Sequence, residues 1–211
     1  ELGYNGYEID FKKALDCYKK GIATNNQYCL YKLFYIYKDY YQQFGLEQDA
    51  DMAIFFLIKA SCYNETFLDI NRIDPIVKLR DLILYQDEEL KKIKELLLKM
   101  AEIKEFDITE LEREYLFSFI RLNFSFREYD FKQNLKSLEK LTEESHLEAC
   151  YKIACLYYNP IHADLCPRNV EKSIKLFEYL MEKNYTKSFC SFYKVCEEQK
   201  LNDRIETILE L

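Results

Sequence analysis

The sequence predicts an all-α fold, a solenoid of antiparallel helix pairs with about 36–40 residues per repeat and a degenerate middle segment. Three observations predict it. Among 211 residues there are only four Gly and three Pro, which starves β-hairpins, glycine-rich phosphate loops and strained nucleophile elbows of the residues they need. Apolar residues recur with the helical period along most of the chain. The chain also matches itself without gaps at an offset of 120 residues: Asp10-Phe11-Lys12 recurs as Asp130-Phe131-Lys132, Tyr31-Lys32 as Tyr151-Lys152, Tyr37 as Tyr157 and Ile54 as Ile174. Segment 10–61 and segment 130–181 are therefore copies of one design. Shorter shifts register too, with Asp10 and Ala14 matching Asp49 and Ala53, and Lys136-Ser137 matching Lys172-Ser173.

Each repeat reads as two amphipathic helices. Between Cys29 and Tyr37 the apolar stripe is Cys29, Leu33 and Ile36-Tyr37. Between Asp49 and Ala60 it is Ala53, Phe56-Leu57 and Ala60. Asp10, Asp49, Asp130 and Asn169 stand where second helices begin, so each side chain is expected to cap orphan amides there. Gly21, after Lys19-Lys20, reads as the end of the helix that Asp10 opens. The middle, 64–128, departs from this pattern. Its best helix runs from Asp87 to about Glu105, with Leu90, Ile93, Leu97 and Met100 on one stripe and Glu88/Lys92 and Glu95/Lys99 as i,i+4 pairs opposite. Thr109-Glu-Leu-Glu112 has the form of a capping box opening another helix through Ile120. Leu122 to Phe126 alternates with period two, as strands do, and is assigned to helix. Degenerate repeats and an inserted helical hairpin both account for the segment. The division expected is 1–63, 64–128 and 129–211, the last closing on a helix from Asn202 with Ile205, Ile208 and Leu209 on its apolar side.

These residues resemble the Sel-one-like repeats, variable-length relatives of tetratricopeptide repeats. In that family the first helix carries a small residue and then Leu-Gly-x-Leu-Tyr, and the second starts Asp-x-x-x-Ala. Here the first-helix pattern is Cys29-x-x-x-Leu33-Phe34-x-Ile36-Tyr37, then Ala149-x-x-x-Ile153-Ala154-x-Leu156-Tyr157, and more weakly Ser188-x-x-x-Phe192-Tyr193-x-Val195-Cys196. Phe34 and Tyr193 stand where the family has a small glycine. The similarity covers 8–61 and 130 to about 197, and implies a right-handed superhelix doing adaptor work in multiprotein assemblies. It also implies a concave groove lined by first-helix residues off the packing stripe: Tyr28, Tyr31, Tyr35, Lys38, Tyr151, Tyr158, Lys187 and Lys194. Tyrosine joins a rigid apolar body to a polar tip, which suits peptide recognition. Lysines among them favour an acidic or C-terminal carboxylate ligand. The chain holds 19 Tyr and 15 Phe with no Trp. Part of that excess is what an AT-rich coding sequence yields, and the repeated Tyr31 and Tyr151 also fit packing between repeats.

Other chemistries find little footing. With 37 acidic against 30 basic residues the net charge is -7, so nucleic acid is disfavoured as a partner unless a local basic patch exists. No apolar stretch is long enough to span a membrane. Eight cysteines show no CxxC pair, and most fall inside apolar helical patterns as small hydrophobes, which predicts reduced thiols and an intracellular, cytoplasmic protein. Three Asn-x-Ser/Thr triplets, at Asn64, Asn123 and Asn184, are read as unused. His162-x-Asp164-x-Cys166 has metal-ligand residue types but reads as a variable loop between helices, and neither His146 nor His162 has a local partner that would make it a base. The expectation is no catalytic residue, no cofactor and no metal. The function expected is a protein–protein interaction scaffold, with a helical-repeat RNA binder or the accessory repeat domain of a longer catalytic chain as alternatives.

Overall fold

The computed structural model describes residues 9–63, 75, 78–79, 87–103, 106, 108–124, 128–160 and 163–209. Among them are ten α-helices and no strand. The helices are α1 (Phe11–Ala23), α2 (Gln27–Tyr35), α3 (Ala50–Cys62), α4 (Asp87–Ala101), α5 (Glu110–Phe124), α6 (Glu128–Glu143), α7 (Leu147–Tyr158), α8 (Val170–Glu182), α9 (Phe189–Gln199) and α10 (Asn202–Leu209). None is long and apolar enough to cross a membrane. The chain divides into two compact units, Glu1–Phe124 and Ser125–Leu211. The described helices of the middle segment, α4 and α5, pack against α3 within the first unit.

The 120-residue repeat reappears in the backbone. After α1, Asn25 takes φ 50°, and the next amide, of Asn26, donates to the Gly21 carbonyl at 2.9 Å. After α6, Ser145 takes φ 62° and the His146 amide donates to Leu141 at 3.0 Å. Asn184 after α8 and Lys200 after α9 repeat the same left-handed turn, and the six-residue bond closes on Leu180 and Cys196. Such turns satisfy carbonyls orphaned at a helix end and reverse the chain. Asn26 and His146, again 120 apart, then cap the next helix, accepting from the amides of Cys29 and Ala149.

Most of the expected caps are in place. Asp10, Asp49 and Asn169 accept from the amides of Lys13, Met52 and Lys172 at 2.9–3.0 Å. Thr109 accepts from the Glu112 amide at 3.1 Å and opens α5. Asp130 differs, because α6 begins two residues earlier, at Glu128. Gly21 does not end α1, which runs on to Ala23. It is a contact point: a Cβ there would lie 2.4 Å from the Cys29 Cβ, so its bare backbone lets α2 close onto α1. The helix from Asp87 ends at Ala101 rather than near Glu105, and residues 104 and 105 lie outside the described residues. Its Glu95 pairs with Lys91 at 3.9 Å while Lys99 reaches Asp51 of α3 at 2.5 Å, so one expected pair is replaced by a tie between helices. Leu122 to Phe124 are helical, and 125 and 126 lie outside the described residues.

In the first unit α3 is buried without a break from Phe55 to Tyr63, as its almost uniformly apolar sequence requires. Phe55 and Phe56 meet Phe106 at 5.0 and 5.7 Å, and Tyr37 stacks on Phe56 at 5.6 Å. The one lysine of α3, Lys59, is inside this core and pairs with Glu112 of α5 at 3.2 Å. Tyr63 donates its hydroxyl to the other Glu112 oxygen. The second unit buries Cys150, Tyr151, Ala154, Phe177, Leu180, Phe192, Val195 and Cys196 between α7, α8 and α9.

Candidate protein-interaction surface

Of the residues assigned to a groove, Tyr28, Tyr31, Tyr35 and Lys38 fall on one side of α2 and its continuation, because spacings of three and four residues return to the same face. The opposite side is committed to the core through Leu30, Leu33, Phe34 and Tyr37. Tyr28 is 57% exposed, the most open large apolar side chain among the described residues. Tyr31 and Tyr35 are half-buried, with rings edge-to-face at 5.1 Å and hydroxyls 3.1 Å apart. That pairing fixes both rings, so little rotamer freedom remains to be lost on binding. The Lys38 ammonium lies 5.7 Å from the Phe34 ring centroid and 3.6 Å from Asp39. Beyond Tyr35 the helix widens into a π-turn, Ile36–Tyr40, and tightens into a 3₁₀-turn, Tyr41–Phe44. The Gln48 side chain donates to the Lys38 carbonyl at 3.1 Å there.

The second unit uses its four residues differently. Tyr151 is a correction: it is 1% exposed, packed edge-on to Phe177 at 6.3 Å, with its hydroxyl 3.0 Å from Ser191 Oγ of α9. Burial pushes its phenol well above the usual range. It joins α7 to α9 and offers no ring face to a ligand. Tyr158 is half-buried between the Arg168 guanidinium, 4.7 Å from its ring centroid, and Glu198, to which its hydroxyl donates. Lys187 pairs with the buried Glu148 at 3.6 Å, and Tyr185 donates to the same carboxylate. Lys194 is exposed. Where the resemblance implies an open wall along α7, side chains bridge that helix to α9.

Six of the eight cysteines are wholly or partly buried, and His146 caps a helix. All eight cysteines are free thiols; Cys62, Cys150, Cys166 and Cys196 are buried, whereas Cys17 and Cys190 are exposed. Burial, with the Glu139 charge as a smaller cause, raises the Cys166 thiol above its usual range. His162 lies outside the described residues, and among those described no three His, Cys, Asp or Glu side chains converge on a metal position. His146 Nδ1 accepts the α7 capping bond at 3.2 Å, which ties that nitrogen to the backbone.

Three contributors went unnoticed in the sequence. Lys32 lies 5.5 Å from the Tyr28 ring centroid, and its i+4 spacing from Tyr28 was enough to place it on this face. Tyr18 of α1 approaches Tyr28 at 6.5 Å, a contact between helices that no local pattern encodes. The pairing of Lys152 with Glu148 at 3.8 Å is an i,i+4 pattern, but its burial is visible only in the fold. Comparison of the chain with family models, with curated proteins and with solved structures finds no match.

Proposed function

We propose that the chain is a non-catalytic scaffold that holds another protein, as a peptide segment or a neighbouring subunit, on the open face of α2. The observation that carries this reading is that face: a 57% exposed tyrosine beside two tyrosines locked against each other and flanked by lysines. Rigid aromatic surface rimmed by polar groups is what protein recognition sites use. We also read the chain as a Sel-one-like α-solenoid. The recurrence of turn and cap at Asn25-Asn26 and Ser145-His146 supports that reading, since each helix pair then has the same connection to its neighbour.

The test is affinity capture from the native cell with cross-linking mass spectrometry, comparing wild type with Tyr28→Ala/Tyr35→Ala shown to stay helical by circular dichroism. The reading expects one protein to be captured by wild type, cross-linked at Lys32 or Lys38, and lost by the variant. A partner retained by the variant, or recovery of RNA alone, overturns it.

A further inference from the structure

We infer that Cys17 of α1 and Cys29 of α2 form a modification site, a thiol pair that a small-molecule disulfide oxidises to a reversible cross-link between the two helices. The placement rests on Gly21. An ideal Cβ built there lies 2.4 Å from the Cys29 Cβ and 2.6 Å from its sulfur, so the Cys29 thiol is pressed against the backbone of α1. Cys17 stands one helical turn ahead of Gly21 on the same side of α1, where Cβ positions four residues apart are about 5–6 Å from each other. The two cysteine Cβ atoms are thereby confined to roughly 3–8 Å, a range that contains the separation of about 3.5–4.5 Å that a disulfide takes. The neighbouring rings meet as well, Tyr18 and Tyr28 at 6.5 Å. After burial, the charge of Cys17 is the second cause that raises the Cys29 thiol, as it is for sulfurs close to each other.

The second copy of the repeat supplies the contrast. The positions 120 residues on hold Ser137, Leu141 and Ala149. Leu141 and Ala149 are buried, so that hairpin packs with neither a bare backbone at the contact nor a thiol on either helix.

Access divides the reaction between the two thiols. Cys17 is exposed and Cys29 partly buried, so the Cys17 thiolate attacks one sulfur of glutathione disulfide, forming a mixed disulfide and releasing one glutathione thiolate. Cys29 then loses its proton to solvent, and its thiolate attacks the Cys17 sulfur, forming the cross-link and displacing the second glutathione thiolate. Two protein thiols are oxidised while one glutathione disulfide is reduced to two glutathiones. Excess reduced glutathione runs the same steps backwards.

The experiment incubates the folded full chain in glutathione buffers of rising disulfide content, traps free thiols with N-ethylmaleimide and maps unreduced tryptic peptides by mass spectrometry. Cleavage after Lys13, Lys19, Lys20 and Lys32 leaves Cys17 and Cys29 on separate peptides, 14–19 and 21–32. A linked pair two hydrogens lighter than its parts is expected, lost again in excess reduced glutathione and about tenfold more abundant than in concentrated urea, because the fold holds the thiols together. Cys29→Ser is expected to leave Cys17 as a glutathione adduct that wild type does not accumulate. The inference is overturned if both thiols stay reduced, if wild-type Cys17 keeps its glutathione, if Cys17 links to another cysteine in preference to Cys29, or if the link forms as well in urea. The scaffold reading rests on Tyr28 and Tyr35 and stands under each of these results.

Discussion

At the scale of single residues the sharpest consequences lie where charge or backbone is buried. Lys59 and Glu112 face each other at 3.2 Å inside the first unit. Glu112→Ala strands the ammonium in the core and is expected to cost about 3–5 kcal/mol in urea unfolding, whereas replacing both residues by Met and Leu costs little or stabilises. A loss from the double change as large as from the single one contradicts this. Gly21→Ala forces a Cβ to 2.4 Å from Cys29 and is expected to cost about 1–3 kcal/mol, measured in the same way. At Gly45 the added Cβ meets nothing within 4 Å, and only the φ of +65° makes an alanine there unfavourable. The thiols separate by environment. Burial pushes Cys150 up to about 11, so iodoacetamide near neutral pH is expected to label Cys17 and Cys190 first and Cys150 only on unfolding. Early labelling of Cys150 contradicts the packing of α7.

At the scale of elements the caps carry the testable content. Asn169→Ala removes the acceptor of the Lys172 amide and is expected to cost about 1 kcal/mol, seen as a lower urea midpoint. Asp10 is held below the usual carboxylate range, chiefly by the Lys13 amide it caps. Its stabilisation is therefore full above the ordinary aspartate range and is lost as pH falls through the depressed folded value. Asp10→Asn keeps a capping oxygen without a titrating group, so this variant loses less stability than wild type between neutral and acid pH. Much of this was legible in sequence, because an acid, amide or hydroxyl side chain three residues ahead of an amide it can accept from is a local signal. Asp49, Asn169 and Thr109 were found that way. Gly21 and Glu95 were misread for the opposite reason. The glycine serves a contact with α2, and Lys99, the partner expected for Glu95, turns to Asp51 of α3. Neither neighbour is encoded nearby.

At the scale of the whole molecule, helical content was legible from the scarcity of glycine and proline and from the apolar period. The two copies were legible from the 120-residue match, which the turns at Asn25 and Ser145 repeat in three dimensions. The interaction surface was only half legible. Periodicity identifies which residues leave a helix's own packing stripe, and on α2 and its continuation Tyr28 is exposed while Tyr31, Tyr35 and Lys38 are half-buried. On α7 the corresponding tyrosine is buried against Phe177 of α8, Tyr185, and Ser191 of α9, and those neighbours lie about 26 to 40 residues away in sequence. On the proposed function the protein acts by presenting the α2 face to another protein. Hydrogen–deuterium exchange of the full chain, alone and with its captured partner, tests it most directly. Residues 27–41 are expected to gain protection on binding while α4 and α5 stay as they were. Protection confined to α4 and α5, with 27–41 unchanged, would contradict it.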